Sequence, residues 1–166
     1  TIGIVGFGSI GRVVAKKANA FGLKCLAYDP VLSGNEVALE GFKVPLISLD
    51  ALLSQSDAVT LHLPLLPETK GLFNKDVLSQ MKPGACLINT ARGGIVDELA
   101  LAECLRSGHL GGAALDVFSG EPAKDLSHLS GIENIILTPH IAGVTHESND
   151  RVSQMIADEV NLFLGA

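Results

Sequence analysis

Apolar and polar positions along this chain follow two alternating periods. Short continuous apolar runs, each closed by glycine, proline or a polar residue, are separated by stretches whose apolar positions recur every third or fourth residue. The runs at residues 1–5, 23–28, 58–63, 85–89, 112–117 and 135–137 read as six buried strands. Between the first two, Ile10, Val13, Val14 and Ala18 keep helical spacing from Ser9, and Gly22 supplies a stop. Ser48 is a candidate N-cap for a short helix within residues 47–53. A helical stretch at 75–81 is closed by Pro83-Gly84, and Asp97 caps a helix that runs through Arg106 and stops at Gly108. From Thr145 a last helix opens on Glu147 and Asp150 and carries one apolar stripe of Val152, Met155, Ile156, Val160 and Phe163. Residues 30–45 are polar and punctuated by glycine, which predicts a loop with a short helix around Asn35 to Leu39. Strands alternating with helices require a parallel sheet with right-handed crossovers, so the expected fold is α/β, a doubly wound Rossmann domain over residues 1–166.

The first turn is the most specific feature. Gly6, Gly8 and Gly11 fit G-x-G-x-x-G between a strand and a helix, where they allow a tight turn, close approach to a pyrophosphate and close helix–strand packing. Asp29 ends the second strand at the distance where a carboxylate accepts hydrogen bonds from an adenosine ribose. Its charge would meet a 2′-phosphate unfavourably, and Pro30-Val31 follow it without an arginine, so NAD is the expected cofactor rather than NADP. The same residues admit other readings: Asp-Pro as a turn starter, or a different dinucleotide or S-adenosyl ligand in the crevice.

Composition narrows the class. The chain has 166 residues, 47% of them hydrophobic and 18% charged, which describes a folded domain with a substantial core. A formal charge of −6 disfavours nucleic acid or an anionic membrane as the main partner. No apolar run reaches transmembrane length and no signal peptide precedes the first strand, which points to the cytoplasm. Cys25, Cys86 and Cys104 are widely spaced, with no C-x-x-C pair, and read as small buried hydrophobes in a reducing compartment, with no metal site expected. Thr1 opens directly on a strand, so the chain is expected to be part of a longer one.

Three ionisable residues, Arg92, Glu121 and His140, fall at or just beyond the C-terminal ends of successive expected strands. In a doubly wound sheet these ends converge on one crevice. Reduction of a 2-oxo acid needs a proton donor, a cation for the carboxylate and the polarised carbonyl, and a nicotinamide. His140 can donate, Arg92 can clamp, and Glu121 can orient the imidazole and support its charge. Taken singly, each has an ordinary alternative: a solvated loop arginine, a Glu-Pro turn and a strand-end histidine.

Five ordered segments, Gly6-Phe-Gly-Ser-Ile-Gly11, Asn89-Thr-Ala-Arg-Gly-Gly94, Leu115-Asp-Val-Phe, Glu121-Pro122 and Pro139-His-Ile-Ala-Gly143, resemble the successive signatures of the D-isomer-specific 2-hydroxyacid dehydrogenases. That family includes D-3-phosphoglycerate, D-lactate and glyoxylate/hydroxypyruvate enzymes. The resemblance implies hydride transfer between NAD(H) and a small 2-hydroxy or 2-oxo acid, with His140 as acid/base, Glu121 as its partner and Arg92 on the substrate carboxylate and carbonyl. It implies Gly8, Ser9, Ile10 and Gly11 at the pyrophosphate, Asp29 at the ribose, and His62 and Pro64 along the cofactor. It further implies Thr90 near the nicotinamide ribose and Asp116 at the carboxamide, with Gly6, Thr69, Arg92, His140 and Gly143 among the cofactor contacts. His62 could equally be a packed strand-end histidine. The related formate dehydrogenases carry Gln where Glu121 stands, which favours hydroxyacid chemistry here. A corepressor branch of the same fold keeps the triad, so a non-catalytic NAD(H)-sensing or protein-binding module is the alternative.

Full members of the family also contain a flavodoxin-like substrate domain, formed from the segment before the cofactor domain and the final stretch of chain. The resemblance implies that this domain is largely absent, that residues 144–166 correspond to the helix returning to it, and that the full protein is a homodimer. Dinucleotide binding with weak or absent turnover is the resulting expectation for the isolated chain, and the identity of the 2-oxo acid would rest mostly with the absent domain.

Overall fold

The computed structural model describes residues 1–123 and 125–165. Strand β1 (Ile2–Val5) leads through helix α1 (Ser9–Ala20) into β2 (Cys25–Tyr28), then to β3 (Glu36–Leu39) and β4 (Phe42–Pro45). Helix α2 (Leu49–Gln55), β5 (Ala58–Leu61), α3 (Lys75–Ser79), β6 (Cys86–Asn89), α4 (Glu98–Arg106) and β7 (Gly112–Leu115) follow. A 3-10 turn at Ser127–Leu129, β8 (Ile135–Leu137) and α5 (His146–Leu164) complete the chain. Six strands form one sheet in the order β2-β1-β5-β6-β7-β8, every neighbouring pair parallel. β1 pairs with β2 on one side and β5 on the other, so the winding reverses there. The crevice beyond the C-terminal ends of these two strands is where an open α/β sheet binds its ligand.

The expected caps hold three helix starts: Ser48 accepts from the Ala51 amide, Asp97 from Leu99 and Ala100, and Thr145 from Ser148. Asn74, which was not foreseen, caps α3 by accepting from the Val77 amide. Helix α1 differs: its N-cap is Gly8, which supplies no side-chain acceptor.

Two cores flank the sheet. On one face Val59, Leu61, Leu87 and Leu115 pack with Leu52, Leu78, Leu101 and Leu105 from α2, α3 and α4. On the other, Ile4, Cys25 and Ala27 pack with Ala15 and Ala18 of α1 and with Val44. Strand pairing puts Cys86, Ile88, Ala114 and Ile136 on this second face, beyond the reach of α1. Cys86 is therefore half-buried rather than buried as expected, and Ile136 is 67% exposed. Cys25 and Cys104 are buried.

The stretch at 35–39 is not a helix. Glu36–Leu39 pairs antiparallel with Phe42–Pro45 across a two-residue turn, Glu40-Gly41, in which Gly41 takes φ +83. Alternation decides the matter, since Val37, Leu39 and Phe42 all point onto the α1-side core while Glu36 and Ala38 face water. Just after this hairpin, Leu46 bridges Ala27 in parallel, a vestige of a further strand beside β2. The expected strands at 58–63 and 112–117 end two residues early, at Leu61 and Leu115, although the His62 and Asp116 amides still donate to the Val5 and Asn89 carbonyl oxygens of the neighbouring strands. Helix α5 forms where its stripe was read, but none of its residues is buried.

Candidate active site

At the first turn, two glycines pack against backbone that a side chain would strike. A Cβ on Gly11 would lie 2.2 Å from the Gly6 carbonyl oxygen, and one on Gly6 would lie 2.6 Å from the His62 carbonyl oxygen. Gly6 also takes φ +91, a conformation L side chains rarely adopt. Gly8, by contrast, faces open space, and Ser9 and Ile10 at the start of α1 are exposed beside it. Asp29 is tied to this turn directly: Oδ2 accepts from the Phe7 amide at 2.7 Å and Oδ1 from the Val31 amide at 2.9 Å. Each carboxylate oxygen keeps a lone pair for a further donor. The Arg12 guanidinium stacks over buried Phe7 and donates to its carbonyl oxygen at 3.1 Å, which stiffens the turn from the helix side.

Across the switch point, His62 sits half-buried, its Nε2 3.1 Å from the Thr60 hydroxyl. Burial pushes the imidazole pKa down and favours the neutral ring. Pro64 is exposed at the crevice edge. Thr69 is buried, and its hydroxyl closes the turn it ends, donating to Pro64 O at 2.6 Å and accepting from the Leu66 amide at 2.8 Å.

After β6, buried Asn89 shapes the turn that carries Arg92. Its Oδ1 accepts from the Ala91 amide and its Nδ2 donates to the Arg92 carbonyl oxygen, both at 3.0 Å. Thr90 and Arg92 are exposed, and Arg92 Nη1 donates to Ala91 O at 2.6 Å.

Glu121 and His140 meet. His140 Nδ1 lies 2.6 Å from Glu121 Oε2, and the other carboxylate oxygen accepts from the Phe118 amide at 3.0 Å. The His140 contact and that amide hold the Glu121 carboxyl below its ordinary value. With Nδ1 against a carboxylate, Nε2 is the ring atom left to exchange a proton. His140 is the one non-glycine residue among those described with a positive φ, +56. Such a backbone persists where its surroundings over-determine it.

Asp116 supplies the constraint. It is 3% exposed, and its carboxylate accepts from the Thr138 hydroxyl at 2.5 Å and from the Ile141 and Ala142 amides at 2.9 Å. Burial alone would push the carboxyl up, but the Thr138 hydroxyl and the two amides pull it below its ordinary value. A cleft of about 610 Å3 opens beside the dyad, with Phe118, Leu126 and Leu137 as apolar wall and Glu121, Thr138 and His140 as polar groups. Gly143 lies in the exposed segment beyond.

The structure brings Glu121 and His140 into side-chain contact, while Arg92 is carried on a separate turn held by Asn89. Asn89, Phe118 and Thr138 do much of the holding, and their sequence signal was their place inside or beside the five segments. Phe7 also lies inside the first segment, but its bond to Asp29, like that of Phe118 to Glu121, is made by a backbone amide, which leaves no mark in composition.

Residues 1–142 match the family described as D-isomer specific 2-hydroxyacid dehydrogenase, NAD binding domain. The chain is 51% identical over 165 residues to (S)-sulfolactate dehydrogenase of Chromohalobacter salexigens, covering 99% of this chain and 53% of that protein. It is 44% identical over 164 residues to D-3-phosphoglycerate dehydrogenase of Mycobacterium leprae, covering 99% of this chain and 30% of that one. The NAD-complexed D-isomer specific 2-hydroxyacid dehydrogenase of Lactobacillus delbrueckii ssp. bulgaricus superposes with a TM-score of 0.85 at 33% identity, over 99% of this chain and 53% of that chain. The chain spans about half the length of the first of these relatives and less of the second. With the family match covering 142 of 166 residues, the chain belongs to the D-isomer specific 2-hydroxyacid dehydrogenase family and carries its NAD-binding domain.

Proposed function

We propose that this chain is the cofactor half of an NAD-dependent oxidoreductase that interconverts a 2-hydroxy acid and its 2-oxo acid. The observation that carries the reading is the His140–Glu121 contact at 2.6 Å, beyond the C-terminal ends of β7 and β8 in the same parallel sheet whose β1 leads into the glycine turn. The residues present fit a dinucleotide. Gly6 and Gly11 leave no room for side chains, Gly8 leaves open space before an uncapped helix start, and such a start favours phosphate. Asp29, at the end of β2, offers acceptors to ribose hydroxyls.

Bound nicotinamide supplies the hydride donor or acceptor at C2 of the substrate. In the reducing direction His140 gives a proton from Nε2 to the carbonyl oxygen, while Glu121 stabilises the imidazolium it starts from and fixes the ring through Nδ1. Arg92 binds the substrate carboxylate as a fork. Gly6, Gly8, Ser9, Ile10 and Gly11 line the pyrophosphate, and His62, Pro64, Thr69, Thr90, Asp116 and Gly143 the remaining cofactor path. From family likeness we infer a homodimeric, cytoplasmic protein, with residues 144–166 returning to a substrate domain. Its partner is a small acid rather than nucleic acid or a membrane, and no helix among the described residues is long and apolar enough to cross one.

The test is NADH oxidation followed optically with glyoxylate, hydroxypyruvate and pyruvate, beside NADH binding followed by fluorescence, for the native sequence and for His140→Ala. Oxidation that His140→Ala abolishes supports the reading, and NADH binding without oxidation supports it as the cofactor half of the enzyme. Oxidation that survives His140→Ala, or absence of NADH binding, overturns it. Two side chains sharpen it. Arg92→Lys keeps the charge but loses the planar fork, and kcat/KM is expected to fall on the order of 100-fold, the worth of a charge-assisted hydrogen bond of about 2–3 kcal/mol. Asp29→Ser removes a charge that would repel a 2′-phosphate. Like charges about 4 Å apart repel by about 1 to 4 kcal/mol as the effective dielectric falls from about 80 to 20, so the NADPH-to-NADH affinity ratio should rise at least about fivefold. Parallel fluorescence titrations with the two cofactors measure it, and an unchanged ratio removes Asp29 from the ribose.

A further inference from the structure

The loops bearing Arg92 and Glu121 meet where Gly93 rests on the Phe118 backbone. A Cβ built on Gly93 would lie 1.6 Å from the Phe118 carbonyl oxygen, 2.1 Å from its carbonyl carbon and 2.9 Å from its nitrogen. No side chain fits there unless one backbone moves. Gly93 is not among the positive-φ residues, whereas Gly94 beside it takes φ +78, so the demand at 93 is steric rather than torsional.

Neither backbone is free to yield. The Phe118 ring is 8% exposed and belongs to the main core, which anchors residue 118 from the far side. On the near side, Asn89 holds the Arg92 carbonyl oxygen and the Ala91 amide, and Asn89 itself is 2% exposed. The residue whose carbonyl Gly93 rests on also serves the acid/base pair. The Phe118 amide donates to Glu121 Oε1, and Glu121 Oε2 meets His140 Nδ1. Residue 118 therefore presents its carbonyl to the Arg92 loop and its amide to the acid/base pair.

We propose that Gly93 is a positioning residue: its missing side chain lets the Arg92 loop seat on the Phe118 backbone, which sets the spacing between Arg92 and the Glu121–His140 pair. The assignment rests on the reading of Arg92, Glu121 and His140 given above, and extends it to a residue that touches none of the reacting atoms.

Gly111 provides the control. A Cβ there would lie 2.3 Å from the Gly84 carbonyl oxygen, a comparable backbone clash at the opposite end of β7, away from the crevice. A merely structural glycine at 93 would behave like the one at 111. The experiment is carboxyl NMR titration of Glu121 in the 166-residue chain, with the native sequence, Gly93→Ala and Gly111→Ala, each with its amide spectrum as the measure of folding. In the native sequence Glu121 titrates below the ordinary glutamate range. In Gly93→Ala it moves up toward that range, because the Phe118 amide and the His140 contact are displaced, while in Gly111→Ala it stays low. A Glu121 titration unchanged in Gly93→Ala, or shifted equally in Gly111→Ala, overturns the proposal.

If Gly93→Ala does not fold, Gly93→Ala combined with Phe118→Leu is read in its place, since the smaller side chain gives residues 117–119 room to retreat. Phe118→Leu alone, expected to keep Glu121 low, is its reference, and the double variant must shift Glu121 upward against that reference or the proposal fails. None of these measurements needs turnover. Failure of the oxidoreductase reading would show in the His140→Ala kinetics and failure of the Gly93 assignment in the titration, so the two are separable.

Discussion

Replacing His140 by Ala in the full-length protein should lower turnover of a 2-oxo acid about 10²- to 10⁴-fold, the range general acid–base catalysis contributes, while NADH affinity changes little. The asymmetry follows from where His140 stands. Its Nδ1 is committed to Glu121, so its contribution lies in the proton that Nε2 exchanges during the reaction. The glycine turn and Asp29, which carry the cofactor in this reading, share no hydrogen bond with it. Steady-state kinetics and NADH fluorescence on the same preparation measure both quantities. Equal losses in turnover and in affinity would assign His140 to cofactor binding and remove it as acid/base.

Replacing Asp116 by Ala should unfold the segment around His140 and destabilise the domain by about 3 kcal/mol, since hydrogen bonds to a charged group contribute about 1.5–3 kcal/mol each and water recovers part of the loss at this exposed loop. Three donors would lose one acceptor at once: the Thr138 hydroxyl and the amides of Ile141 and Ala142. With them goes the restraint that holds His140 at φ +56, a backbone costing roughly 1–3 kcal/mol that relaxes once released. Urea unfolding of the native sequence and the variant measures the difference, and a loss under about 1 kcal/mol would mean that the segment is held by other contacts. The pH dependence has a definite sign. The carboxyl is held below its ordinary value of 3.8 in the folded chain, so its contribution is present above that value and is lost as pH falls through the lower folded one. Asp116→Ala should therefore flatten the acid limb of the stability curve.

Much of this molecule is legible in one dimension. The order of the six sheet strands and the helices, three helix caps and the glycine turn all follow from local rules, because an apolar run, an N-cap side chain or a glycine at a tight turn acts on its own neighbours. The residues of the acid/base pair were legible too, as ionisable groups at strand ends, although 19 positions separate Glu121 from His140. The reading failed at residues 35–39, where Glu36-Val-Ala-Leu39 is too short for its period to be decided locally and the pairing with Phe42–Pro45 decided it. It failed at Cys86 for the converse reason, since burial within a strand depends on what covers the face, and α1 covers only the half of the sheet near β1 and β2.

Sequence alone determined the fold class, the cofactor turn with its carboxylate, and the identity of Arg92, Glu121 and His140 as chemical candidates, since each rests on a residue type at a set distance from a recognisable element. Tertiary structure alone decided how they are held. The Phe7 amide on Asp29, the Phe118 amide on Glu121, the Asp116 clasp on the His140 segment and the close seating of Gly93 on Phe118 are contacts across 3 to 26 positions, most of them made by main-chain atoms. Every residue carries the same backbone, so its side-chain alphabet cannot announce which amide or carbonyl will face a catalytic group, and only the pairing of β1 with β2 and of β7 with β6 and β8 brings those atoms within reach.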